Sequence, residues 1–149
     1  MSQIHFTSVL RGVFRHALEQ LLFFNENQGK THSAILSAME CYGAPRVVLL
    51  NGRLRVTLDS GVEAQTLFAL EQTKASQSLV GVVVYTRDGE SLVVLFVAVR
   101  EDFATRGPRA KEALFFRIVD QMKGIARRLR GIQSVTVFCP AKLEIPVWD

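Results

Sequence analysis

Residues 92–99 read Leu-Val-Val-Leu-Phe-Val-Ala-Val, apolar at every position. A strand sends alternate side chains to opposite faces, so a run of this kind leaves neither face for water. It has to lie near the middle of a sheet with a packed layer on each side. The run closes a hairpin, because residues 79–86 and 91–100 are both rich in β-formers and turn at Asp88-Gly89. A second hairpin lies upstream. Residues 46–50 and 53–59 are joined by Asn51-Gly52, and a type I′ turn needs positive φ at both of its central positions. Leu54, Val56 and Leu58 alternate there with Arg53, Arg55 and Thr57, which predicts one buried and one wet face. The context of neighbouring strands makes residues 64–72 a strand and 73–78 a polar loop.

The rest of the chain has helical period. In residues 8–24 the apolar positions are Val9, Val13, Phe14, Ala17, Leu18, Leu21 and Leu22, steps of three and four that predict an amphipathic helix capped by Thr7 or Ser8. Ala34, Ile35, Ala38 and Met39 predict a second helix over 31–41, stopped by Gly43 and Pro45. Residues 109–130 predict the longest helix, with a stripe from Leu114 through Ile118 and Met122 to Leu129 and a stop at Gly131. Residues 134–138 form a last strand before an irregular tail holding Pro140, Pro146 and Trp148. The expected order is ααβββββαβ. That is an α+β chain with a mixed, mostly antiparallel sheet, an N-terminal helical hairpin and one long crossover helix. The strands at 92–99 and 134–138, joined through that helix, should run parallel.

Composition sets the class of protein. The 149 residues are 48% apolar and 21% charged, with a formal net charge of +4, which excludes a disordered chain and suits one domain over residues 1–149. Cys41 and Cys139 are too few for a disulfide framework, so they read as thiols of a reducing, cytoplasmic setting. No apolar run approaches the roughly 20 residues that cross a bilayer, and no membrane partner is expected. His5, His16 and His32 show no metal-ligand spacing, so no metal is expected. Lys123, Arg127, Arg128 and Arg130 crowd the end of the long helix. Cations there complement the helix dipole, and without interleaved aromatics they do not predict a nucleic-acid site. Val147 and Trp148 in the tail suggest an exposed apolar edge, and C2 pairing of two copies would cover it.

The chemistry-bearing stretch is the strand–loop–helix after residue 92. Its order is 95–99 Leu-Phe-Val-Ala-Val, 100–103 Arg-Glu-Asp-Phe and 104–110 Ala-Thr-Arg-Gly-Pro-Arg-Ala, then the helix. This resembles the central part of the GNAT acyl-CoA N-acetyltransferase superfamily, over roughly residues 79–138. There a hairpin leads into a strand ending apolar-x-apolar, then a loop Arg/Gln-x-x-Gly-x-Gly/Ala, then a helix. Phe103 matches the aromatic before the loop and Gly107 the middle glycine. Ala104 stands where that family has Arg or Gln, and Arg109 where it has a small residue.

The resemblance implies acetyl-CoA or another acyl-CoA as cofactor. Its arm would lie along Val97 and Val99 by strand-like hydrogen bonds. Its pyrophosphate would be held by Thr105, Arg106, Gly107, Arg109 and Ala110, with Lys111 adding charge. Helix N–H groups and cations together suit an anion. Glu101 and Asp102, just after the buried strand, could serve as general base for an amine, a small molecule or a protein, with Glu101 or a water taking the proton. The alternative is that they are surface carboxylates beside Arg100 and Arg106. A long side chain at Arg109 can instead fill the pyrophosphate space. The alternatives are a non-catalytic GNAT-like module and a roadblock- or profilin-like domain for ligand sensing or protein contact. A strand parted from its neighbour after Val97 would favour the enzyme, and a closed sheet the last alternative.

Overall fold

The computed structural model describes residues 3–23, 39, 42–103, 107–138 and 142–147. A six-stranded sheet runs in the order β1 (Gln3–Thr7), β4 (Gln65–Gln72), β5 (Gln77–Asp88), β6 (Ser91–Val99), β7 (Ser134–Phe138), β8 (Lys142–Pro146). The hairpin β2 (Pro45–Leu50) and β3 (Arg53–Leu58) forms a separate two-stranded sheet. All pairings are antiparallel except β6–β7, which is parallel with Ser91 opposite Ser134 and Val94 opposite Val137. The protein is therefore α+β with a mostly antiparallel sheet, an arrangement consistent with a GNAT-like fold.

β5 and β6 lie at the centre, as the two-faced apolar run requires. On one face Val82, Val84, Val93 and Leu95 pack against helix α1 (Arg15–Phe23), through Leu18, Leu21 and Leu22, and against Leu54, Val56 and Leu58 of β3. On the other, Val80, Val83, Leu92 and Val94 meet helix α2 (Leu114–Arg128), through Leu114, Ile118, Met122 and Ala126. The small hairpin turns at Asn51 (φ 53°) and Gly52 (φ 76°), the left-handed pair that its dipeptide predicts.

Four expectations need correction. Residues 3–7 are a strand, whose short alternation of Ile4 and Phe6 becomes decisive only through pairing with β4. The first helix begins at Arg15 after a 3-10 turn at Gly12–Phe14. Residues 10–12 are instead drawn alongside β3, where the Leu54 N–H donates to the Leu10 carbonyl (2.8 Å) and the Gly12 N–H to Gly52 (3.1 Å). Thr7 accepts from the Val9 N–H at 3.1 Å, so it closes a local turn and does not cap the helix. The tail is not irregular, because β8 pairs with β7 and Val147 is fully buried. The long helix starts at Leu114, five residues late, because Ala113 takes a left-handed φ of 52° after a 3-10 turn at Ala110–Glu112. The helix predicted over 31–41 lies almost entirely outside the described residues, as do Thr105 and Arg106.

Met122 is inaccessible to solvent at the middle of the α2 stripe. Met122→Ala should destabilise the fold by about 2–5 kcal/mol, the cost of deleted contacts plus a cavity. Urea denaturation followed by circular dichroism measures it, and a loss below about 1 kcal/mol would contradict the packing of α2 on the sheet.

Candidate functional site

At the carboxyl end of β6 the chain makes a tight 3-10 turn, Glu101–Phe103, and returns through Gly107 towards α2. A Cβ on Gly107 would fall on the carbonyl oxygens of Glu101 and Asp102. Glycine is required here by the close approach of two chain segments, which is a packing need independent of any ligand. The Arg109 N–H donates to the Asp102 carbonyl at 2.7 Å, Ala110 to Gly107 at 3.2 Å, Glu112 to Arg109 at 3.1 Å and Ala113 to Ala110 at 3.0 Å. Pro108 has no N–H to offer. The N–H groups of Arg109, Ala110, Glu112 and Ala113 are thus consumed within the chain.

The loop cation is engaged as well. Arg109 donates from Nη1 to Glu71 Oε1 at 2.9 Å and from Nη2 to Glu71 Oε2, and binds Glu112 through Nε and through Nη2 (2.9 Å). Its guanidinium stands 4.2 Å from the centroid of the Phe103 ring, within cation–π range. Arg100 holds Asp102 with two hydrogen bonds of 2.8 and 2.9 Å and lies 3.6 Å from Glu71. Glu71, near the end of β4, is the buried member, with its side chain 8% exposed. Two guanidiniums therefore meet three carboxylates, so both of these cations are already engaged. The Arg100 hydrogen bond, ahead of every other influence, holds the Asp102 carboxyl below its ordinary range. The hydrogen bond from Arg109 does the same for Glu112, and those to Glu71 and Glu112 push the Arg109 guanidinium further up.

Glu101 is exposed beside this cluster. Val97 and Val99 are half-buried on the α2 face of β6, where a bulge puts them. Val84 faces Phe96 while Tyr85 faces Val94, so Leu95 is an extra residue on β6. Leu95 and Phe96 then share the α1 face, and the alternation resumes with opposite parity. The β6–β7 ladder ends at Val94–Val137, so among the described residues 95–98 have no ladder partner on that side. This is three residues before the Val97 position at which a parting was anticipated. A cleft of about 390 Å³ opens nearby, lined by Gln3, Ile4, His5, Glu112 and Arg117. Among the described residues no cluster of metal-ligating side chains occurs, and no helix is long and apolar enough to cross a membrane.

Sequence reasoning missed Glu71. The available signal was an acid inside the apolar strand 67–72, Leu-Phe-Ala-Leu-Glu-Gln, since a carboxylate there must find a cation.

The sequence matches no family model and no curated protein. Among solved structures the chain is similar to nourseothricin acetyltransferase, with 17% identity and a TM-score of 0.43, over 90% of this chain and 72% of that one.

Arg109→Ala should cost roughly 1–3 kcal/mol, because it strips hydrogen bonds from a buried carboxylate that keeps Arg100 nearby. The pH dependence has a definite sign. Asp102 and Glu112 titrate lower folded than unfolded, so their contribution is complete above the unfolded values near pH 4 and is lost as pH falls through the folded ones. Melting temperatures measured across the acid range should fall less steeply for Arg109→Ala, which has already lost the Glu112 pair. Equal acid slopes in the two proteins would contradict the pairing.

Proposed function

We propose that the chain belongs to the acyl-CoA N-acyltransferase class, with the arm of an acyl-CoA running along β6 and an amine as acceptor. What supports this reading is the side of β6 at residues 95–98, which has no ladder partner among the described residues and starts at the bulge. An extended amide-bearing arm can add there as a strand adds to an edge. Val97 and Val99 would line it from the α2 face. The bound thioester would supply the activated acyl group, and Glu101, exposed just past the strand, would accept the proton of the amine. Arg106, Thr105 and Ala110 belong to the expected phosphate loop.

In the described part of the loop Arg109 is held by Glu71 and Glu112, and the N–H groups of Arg109, Ala110 and Glu112 are spent, which disfavours a pyrophosphate there. That observation favours a second reading, a non-catalytic GNAT-like module in which the same cluster serves only to close the fold. The roadblock- or profilin-like alternative has no comparable observation in its favour.

Calorimetry with fragments separates the readings. In the acyltransferase reading wild type binds pantetheine and acetyl-CoA with similar affinity and adenosine 3′,5′-bisphosphate weakly. Arg109→Gly, with its fold checked by circular dichroism, leaves Glu71 and Glu112 short of a cation and then gains no affinity for either ligand. Binding of neither pantetheine nor acetyl-CoA to either protein leaves the non-catalytic module as the function.

Assembly belongs to the same proposal. β1 and β8 each pair on one side only, and edges of this kind join readily across a two-fold axis. Light scattering at micromolar concentration should give a dimer mass, and monomer mass alone would count against a homodimer.

A further inference from the structure

The outer face of the β2–β3 hairpin combines unpaired arginines with uncovered aliphatic side chains. Leu54, Val56 and Leu58 point into the core, so the alternate positions look out, and all of them are exposed. The register sets Arg53 beside Leu50, Arg55 beside Val48 and Thr57 beside Arg46. Residues 10–12 add a further row on the other side of β3, where Arg11 stands directly opposite Arg53. Val13, in the 3-10 turn that follows Arg11, is 77% exposed, and Leu50 at the end of β2 is 52% exposed. Among the described residues none of Arg11, Arg46, Arg53 and Arg55 forms an ion pair, and the neighbouring Glu19 is taken by Arg15 at 3.0 Å.

Like charges directly opposite one another across a ladder are destabilising, and large exposed aliphatics are depleted from surfaces that meet only water. Both features are accounted for together by one kind of partner. We propose that this face docks on an anionic lipid surface, with the arginines at the headgroups and Val13, Val48 and Leu50 at the acyl boundary. The phosphate backbone of a nucleic acid would satisfy the cations, yet it offers nothing to the aliphatics, and Phe14, the aromatic beside Arg11, is half-buried under that guanidinium. A second copy of the same face is excluded by its own charge. The absence of a spanning segment, from which no membrane partner was expected, does not bear on a peripheral contact. The inference is independent of the acyltransferase reading.

Co-sedimentation with vesicles tests it. The full chain should bind vesicles of phosphatidylcholine mixed with phosphatidylglycerol, should not bind phosphatidylcholine alone, and should be released as salt is raised. Each arginine near an anionic surface is worth about five-fold in partitioning, so the double variant Arg53→Glu, Arg55→Glu should lose about twenty-fold or more. Leu50→Ser should lose several-fold while keeping the salt dependence of wild type. Lys74→Glu, a single charge reversal in the β4–β5 turn, should lose far less than either arginine reversal does alone. All these sites are exposed, and unchanged melting temperatures show that the variants remain folded. Equal binding to neutral vesicles, an equal loss in Lys74→Glu, or tighter binding to single-stranded RNA than to anionic vesicles would overturn the proposal, as would no vesicle binding at all.

Discussion

Burial of β5 and β6 on both faces is the constraint from which the remaining architecture follows. Val82 and Val84 on one side and Val80 and Val83 on the other are shielded from solvent, so each face of the sheet needs its own cover. α2 supplies one cover with a single apolar stripe. The opposite face is closed by two separate pieces, α1 and the inward side of the small hairpin. That division explains why β2 and β3 leave the main sheet: their inner residues cap a core, and their outer residues are free to carry arginines.

Glu71 plays the corresponding part at the carboxyl end of β6. It draws Arg109 back onto the sheet and has Arg100 on its other side, and both guanidiniums lie within reach of Phe103. A buried carboxylate left without cations would cost far more than an exposed one, so the loop after β6 is fixed by the need to satisfy it. The consequence for function is direct. Arg109, which a phosphate-binding loop would present outward, is turned inward, while among the described residues 95–98 of β6 have no ladder partner on the β7 side.

Period and turn chemistry determined much of this fold from the sequence. The two-faced run at 92–99, the left-handed Asn51-Gly52 pair, the stripe from Leu114 to Ala126 and the parallel return at Ser134 each rest on local rules that hold in almost any context. Short segments behaved otherwise. Residues 3–7 and 142–146 carry too few side chains to declare a period, and they became strands because β4 and β7 offered unpaired edges. Residues 8–14 have a helical spacing, but hydrogen bonds from Leu54 and to Gly52 pull part of that stretch into an extended row. Cross-chain pairing won over local propensity there.

The candidate site shows the same division. Sequence alone located the loop at residues 100–110, its glycine and its cations, because those are properties of composition and spacing. It could not say that Gly107 is needed to clear the carbonyls of Glu101 and Asp102, or that Arg109 would meet Glu71, 38 residues earlier. The bulge at Leu95, which turns Val97 and Val99 toward α2, was equally hidden, since an apolar run reads alike in either parity. Which groups a charge pairs with depends on strands brought together from distant parts of the chain. Sequence sets which charges exist and which segments are strands or helices; only the assembled sheet decides which of them remain available to a ligand.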